Sequence, residues 1–391
     1  MRLLVFLMLV AVLPAVFQPP AALAEEIQGL GADPEGELAK LDLECVEKEA
    51  ARFIETIRDW APGLTFRQLV VDVLHGRVEL TPAAVISTLG RYFWNEVWGG
   101  GVLLGKILIL AIILAILQQL STAFERASTS QTAFYACFLA LAGTVVTALG
   151  LALNTGREAV DGMVSFVQAL LPVLLTLLAA AGGLTAAAIL HPAILTALAV
   201  IGTLIRNVVL PLITFGIILS LIDRLSEGFE VSHLSALFRN LGLGLLGILS
   251  TIFLGVLAVQ GVAGAASAGI ALRTAKYAAG AFVPVVGGML ADAFEAVVGT
   301  SLLLKSAVGI AGMVLIFFAV AFPALKICAV SLLFKLAGAL VQPLEGRVAA
   351  SLDGVGNGLL GIFAVVTTVG LLCFFAVAIV VGLGFLTTML R

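Results

Sequence analysis

From residue 99 onward the chain is a succession of long apolar runs separated by short polar turns. About twenty consecutive apolar residues cross a hydrocarbon core of roughly 30 Å as an α-helix. The pattern therefore predicts spans near 99–120, 131–153, 163–188, 193–222, 240–268, 306–334 and 358–388. The punctuating segments are Glu125-Arg126, Asn154 to Asp161, Asp223 to Arg239 and Glu345 to Asp353. Between the third and fourth spans only Gly182-Gly183 and His191-Pro192 interrupt the run. Residues 269–305 depart from the pattern. Arg273, Lys276 and Tyr277 predict an amphipathic helix at the membrane interface, and after Pro284 an apolar run carrying Asp292 and Glu295 reads as re-entrant or interfacial. The predicted fold is an all-α, polytopic helical membrane protein of about seven transmembrane helices.

Ahead of residue 99 the pattern changes. Met1-Arg2 precede an apolar stretch from Leu3 to Phe17, Pro19-Pro20 break it, and Ala22-Leu23-Ala24 supply the small residues of a cleavage site. Residues 1–24 are therefore expected to be a signal peptide, and residues 25–98 a small helical domain outside the cytoplasm. Within that domain Leu38, Leu41, Val46, Ala50, Phe53 and Ile57 recur at helical spacing among acids, and Pro62-Gly63 end the stripe. Thr65 is the expected N-cap of a second unit that ends at Gly76, and Thr81-Pro82 open a third. The third unit leads into Tyr92, Phe93, Trp94 and Trp98, placed as an interfacial belt would be. Packing of these rings in a core is the alternative.

Composition narrows the function. Hydrophobic residues make up 61% of the 391, charged residues 12%, and the mean hydropathy is +1.17. No water-soluble enzyme of this length could hide so much apolar surface. Residues 25–98 hold 14 of the 24 acids against 7 of the 21 bases, so an acidic front precedes a slightly basic body. A nucleic-acid partner would need a basic stripe, and the chain has none. The short loops split their bases evenly between the two sides, so orientation rests on the leader alone. Three of the four cysteines lie in apolar runs, and neither a Cys-x-x-Cys nor a Cys/His cluster predicts a metal. A His-Glu-x-x-His helix, a Gly-x-Ser-x-Gly elbow and a Walker lysine are all missing. The expectation is no enzyme activity, no catalytic residue and no cofactor.

Polar residues inside the apolar runs are the remaining place to look for function. Arg206 and Asn207 precede Pro211 in the fourth span, and Lys326 follows Pro323 in the sixth. A charge at membrane depth costs a few kcal/mol and normally faces a partner or water. Asp292 and Glu295, three apart, could pair with those cations. Two readings stay open: a polar path beside proline-broken helices, or buried ion pairs that fix helix order. Gly247, Thr251 and Gly255 recur every four residues, as do Gly261, Ala265 and Gly269, a spacing that suits close helix packing within one chain or between copies.

A family resemblance rests on a specific stretch. Thr274-Ala275-Lys276-Tyr277, Phe282 through Gly288 (Phe-Val-Pro-Val-Val-Gly-Gly) and Val297 through Gly309 (Val-Val-Gly-Thr-Ser-Leu-Leu-Leu-Lys-Ser-Ala-Val-Gly) resemble the stage III sporulation protein AE family. Phe322-Pro323-Ala324-Leu325-Lys326, Phe334-Lys335-Leu336-Ala337 and Gln342-Pro343 extend the likeness. The resemblance implies a multispan subunit in the mother-cell membrane facing the engulfed forespore. It also implies co-encoded membrane partners, a forespore membrane partner, and a secretion-like channel that supports late forespore development. It carries no catalytic residues. Trp94, Trp98, Phe282 and Phe294 are the candidate partner surface, with lipid and further copies of the chain as other neighbours. The competing reading is a secondary transporter that moves a small solute.

Overall fold

The computed structural model describes residues 34–56, 65–77, 82–123, 128–223, 231–282 and 287–389. The side chains of 265–296 and 384–389, and several between 118 and 134, lie outside that description, as does the whole predicted leader. Every regular element described is a helix. Three short front helices come first: α1 (Pro34–Lys40), α2 (Glu44–Thr56) and α3 (Phe66–Leu74). They are followed by α4 (Pro82–Gly99), α5 (Gly101–Ala123), α6 (Ser128–Ala180) and α7 (Leu184–Leu204). A π turn (Ile205–Val209) joins α7 to α8 (Leu210–Ile222), and α9 (Ser232–Phe282), α10 (Gly287–Val341) and α11 (Gly346–Met389) complete the chain.

Six of the segments are long and apolar enough to cross a membrane: 83–117, 135–180, 184–222, 232–264, 297–341 and 346–383. The protein is thus an all-α polytopic membrane protein, with six such segments among the described residues where the sequence pattern suggests seven. The difference lies at Asn154 to Asp161, expected as a turn, which is helical and interior to the 53-residue α6. Glycine and asparagine weaken a helix locally, but tertiary packing overrides so small a preference. Gly156 faces Ile362, Val366 and Ile327, and Gly162 faces the Phe53 ring, so this stretch of α6 is held from both sides. At 1.5 Å per residue α6 and the 55-residue α10 are each about 80 Å long, more than twice the hydrocarbon thickness.

The next expected break is displaced as well. α6 ends at Ala180, and the chain turns through Gly182, whose φ of +92° suits glycine and few other residues. His191-Pro192, the other candidate break, lies inside α7. Ahead of it all, Thr65 caps α3 as its sequence predicts, its side chain accepting from the Gln68 backbone N–H at 3.2 Å, and Gly76 ends the unit at φ +65°.

α10 and α11 form a central antiparallel hairpin. Their most apolar windows are 78% and 67% buried, against 22–33% for the other four candidate spans. Glycines let the hairpin close: Gly370 sits directly on the Val320 side chain, Gly309 on Val381, and Gly358 on Ile217 of α8. The predicted small-residue stripe on α9 behaves otherwise. Gly247, Thr251 and Gly255 face outward, with no neighbour within 4 Å of a Cβ built at either glycine. Lys305 and Lys335, which flank the expected span 306–334, are both helical residues of α10. Lys335 donates to Asn357 Oδ1 of α11 at 2.7 Å and lies 3.5 Å from the Asp353 carboxylate.

The acidic front joins this body. Leu38, Leu43, Val46, Ala50, Phe66, Leu69 and Val70 are buried in the same apolar cluster as the long helices. Phe53 and Phe66 each set an edge-on ring against Phe166 of α6, at 5.9 and 6.2 Å between centroids. The amphipathic stripe is covered by α6 and α10, because three helices this short cannot bury it among themselves.

Candidate functional site

Where the front helices meet α6 and α10, a cavity of about 510 Å³ opens. Its roof comes from α2 (Arg52, Phe53) and α4 (Tyr92), its floor from Phe322, Pro323 and Lys326 of α10, and one wall from α6 (Thr155, Glu158, Asp161). Each element brings its side chain for a local reason. Glu158 and Asp161 are three residues apart on one helix, so both reach the same side. Tyr92 is fixed by an edge-on contact with Phe322 at 4.6 Å. Lys326 lies one turn beyond Pro323, which carries no N–H and so leaves a carbonyl of the preceding turn without its helix donor.

Arg206 reaches this layer from the π turn. Pro211 cannot donate to the carbonyl of Asn207, and its ring would crowd it. The helix widens instead, and the Leu210 N–H donates to the Ile205 carbonyl, five residues back. The widened turn carries Arg206 and Asn207 on its exposed side. Arg206 Nη1 lies 3.2 Å from Asp161 Oδ2. The sequence allows Arg206 to pair with Asp292 or Glu295; among the described residues its partner is Asp161. The side chains of Asp292, Glu295, Phe282 and Phe294 lie outside the described residues.

The charges of the cavity do not all pair. Arg52 Nη1 meets Glu49 Oε2 at 2.9 Å, and Asp161 is matched by Arg206. Lys326 and Glu158 line the same space, yet among the described residues neither has an ion-pair partner within 4.0 Å. Lys326 was singled out in the sequence by its place in an apolar run. Glu158 and Asp161 fall in the stretch that reads as a turn, although they share the spacing of three found at Asp292 and Glu295. Arg52 carried no signal, since an arginine on an amphipathic acidic helix is ordinary. Trp94 and Trp98 are exposed on α4, and Lys305 is fully buried in α10, its Nζ without a hydrogen-bond partner among the described residues.

The comparisons with known proteins agree over most of the chain. A family model described as stage III sporulation protein AE matches residues 64–384. A protein of that name from Bacillus subtilis (strain 168) is 38% identical over 323 residues, covering 82% of this chain and 81% of its own length. No solved structure matches.

Proposed function

This chain belongs to the stage III sporulation protein AE family, and from that premise we propose that it is a membrane subunit of a sporulation-specific conduit between mother cell and forespore, required for late forespore development. The proposed place is the mother-cell membrane around the forespore, with the front helices on the far side from the cytoplasm. The supporting observation is the distribution of burial. α10 and α11 fill the middle, while four apolar segments bury only 22–33% of their most apolar windows. Trp94 (57% exposed) and Trp98 (72%) add a wide aromatic face on α4. Large apolar faces of this kind serve lipid and partner helices. In this reading the chain works by packing against co-encoded membrane proteins and catalyses nothing.

The test is purification from sporulating cells. The chain should bring down its co-encoded partners, and Trp94→Glu with Trp98→Glu should abolish that while membrane insertion persists. Deleting the gene should block sporulation after engulfment and spare vegetative growth. A deletion strain that sporulates normally would overturn the reading. A second reading, a carrier for a small solute, is favoured by one observation: the half-open cavity with its free Lys326 beside a π turn and an intrahelical proline. Solute flux through the chain alone in liposomes would support it.

A further inference from the structure

The mixed-charge cavity poses a problem in charge accounting. Four charged side chains line it, and two of them are already satisfied: Arg52 by Glu49, and Asp161 by Arg206. What remains is one ammonium, Lys326, and one carboxylate, Glu158, on the α10 and α6 sides of the same space. They are of opposite sign and more than 4.0 Å apart. Lys326 is half-buried and Glu158 exposed, so water screens their mutual attraction and leaves each open to a ligand. Kept apart, each is a recognition group for a charge of the other sign.

We propose that this cavity binds a small zwitterion, a molecule carrying a primary ammonium and an acidic group a few ångströms apart. The ligand's acidic oxygens would meet Lys326, and its ammonium would meet Glu158. The rings of Phe53, Tyr92 and Phe322 line the same space, and aromatic faces favour an ammonium. About 510 Å³ lies within the range of small-molecule sites, with room for a dipeptide or a phosphoethanolamine headgroup with its glycerol. A ligand bearing only one charge would meet one wall and leave the other charge to water, forgoing one of the two charge-assisted contacts. The site therefore discriminates by sign at both ends. This chemistry comes from two sources, a zwitterionic lipid headgroup or a free amino acid or peptide. The site stands whether the chain serves a conduit or carries solute, because it is a property of this chain alone.

The experiment uses the purified full chain in detergent and calorimetric titration. The probes are O-phosphoethanolamine and L-alanyl-L-alanine, set against inorganic phosphate and ethanolamine, which carry one sign each. At least one zwitterion should bind about tenfold tighter than either single-charge control. Lys326→Met and Glu158→Gln should each weaken that binding about tenfold or more. The charge-exchanged pair Lys326→Glu with Glu158→Lys should recover part of it, since the ligand can bind reversed. Comparing probes on the unsubstituted chain needs no variant to fold. In nanodiscs, a phosphatidylethanolamine bilayer that displaces the dipeptide identifies the headgroup as the source, and dipeptide binding that persists identifies a soluble solute. The proposal is overturned if phosphate or ethanolamine binds as well as the zwitterions, if no zwitterion binds, or if both single variants bind within about twofold of the original chain. Each of those outcomes leaves assembly with partners untouched.

Discussion

Arg206, on the π turn ahead of Pro211, holds Asp161 of α6 at 3.2 Å, and so ties the widened turn of one helix to the second half of another. Both side chains are about half exposed, at 55% and 40%, so the protein encloses the pair only in part and its loss should be felt mildly once detergent and water reach it. Arg206→Leu and Asp161→Leu should each lower the melting temperature in detergent slightly. The exchanged pair Arg206→Asp with Asp161→Arg should recover part of the loss. Strictly additive losses in that cycle would show that the two residues are not coupled.

Gly309 and Gly370 of the central hairpin should tolerate no side chain. At Gly370 a Cβ would overlap the Val320 side chain, which is β-branched and stiff, whereas at Gly247 nothing lies within 4 Å. Gly370→Val should destabilise by about 1–3 kcal/mol or more, read as lower abundance and a lower melting temperature. Gly247→Val on the outward face of α9 should leave both unchanged.

Lys305 gives the opposite sign. Its side chain is fully buried and its amine has no hydrogen-bond partner among the described residues, so burial strips its water with no bond in exchange. Lys305→Met keeps the shape and removes the desolvated group. The expected gain is about 1–3 kcal/mol, seen as a higher melting temperature, with Lys305→Ala losing much of it to a cavity.

Attachment of the front is carried by aromatic edges. Phe166→Ala removes the ring that both Phe53 and Phe66 contact, at a cost of about 3–5 kcal/mol. Limited proteolysis should then cut within α2 and α3 faster than in the original chain, while the α10–α11 hairpin stays protected. Equal protection of the front in both would mean that other contacts hold it.

The side on which the front lies is open to direct measurement. Glu35 is exposed on α1, so a cysteine placed there by Glu35→Cys should react with a membrane-impermeant thiol reagent in intact protoplasts. Labelling that requires lysis would place the front in the cytoplasm and remove the cleaved leader from the account.

Class and family were legible in the sequence because they rest on local quantities. Run length and hydropathy required membrane helices, since a helix satisfies its backbone within itself and needs no distant residue to do so. Thr65 and Gly76 marked α3 for the same reason: a cap and a left-handed turn are decided within four residues. Lys326 and Arg206 announced themselves as charges in apolar surroundings. The tertiary structure decided everything that depends on which helix lies beside which. Asn154 to Asp161 reads as a turn in isolation, yet it stays helical because Ile362 and Val366 pack on its Gly156, and Phe53 on the adjoining Gly162, from elements far away in the chain. The partner of Arg206 and the burial of Lys305 were fixed in the same way, by the neighbours the fold delivers. Helix register and rotation are set by side chains meeting across sequence separations from about 45 residues, as for Arg206 and Asp161, to about 210, as for Gly156 and Val366, and no local pattern records them.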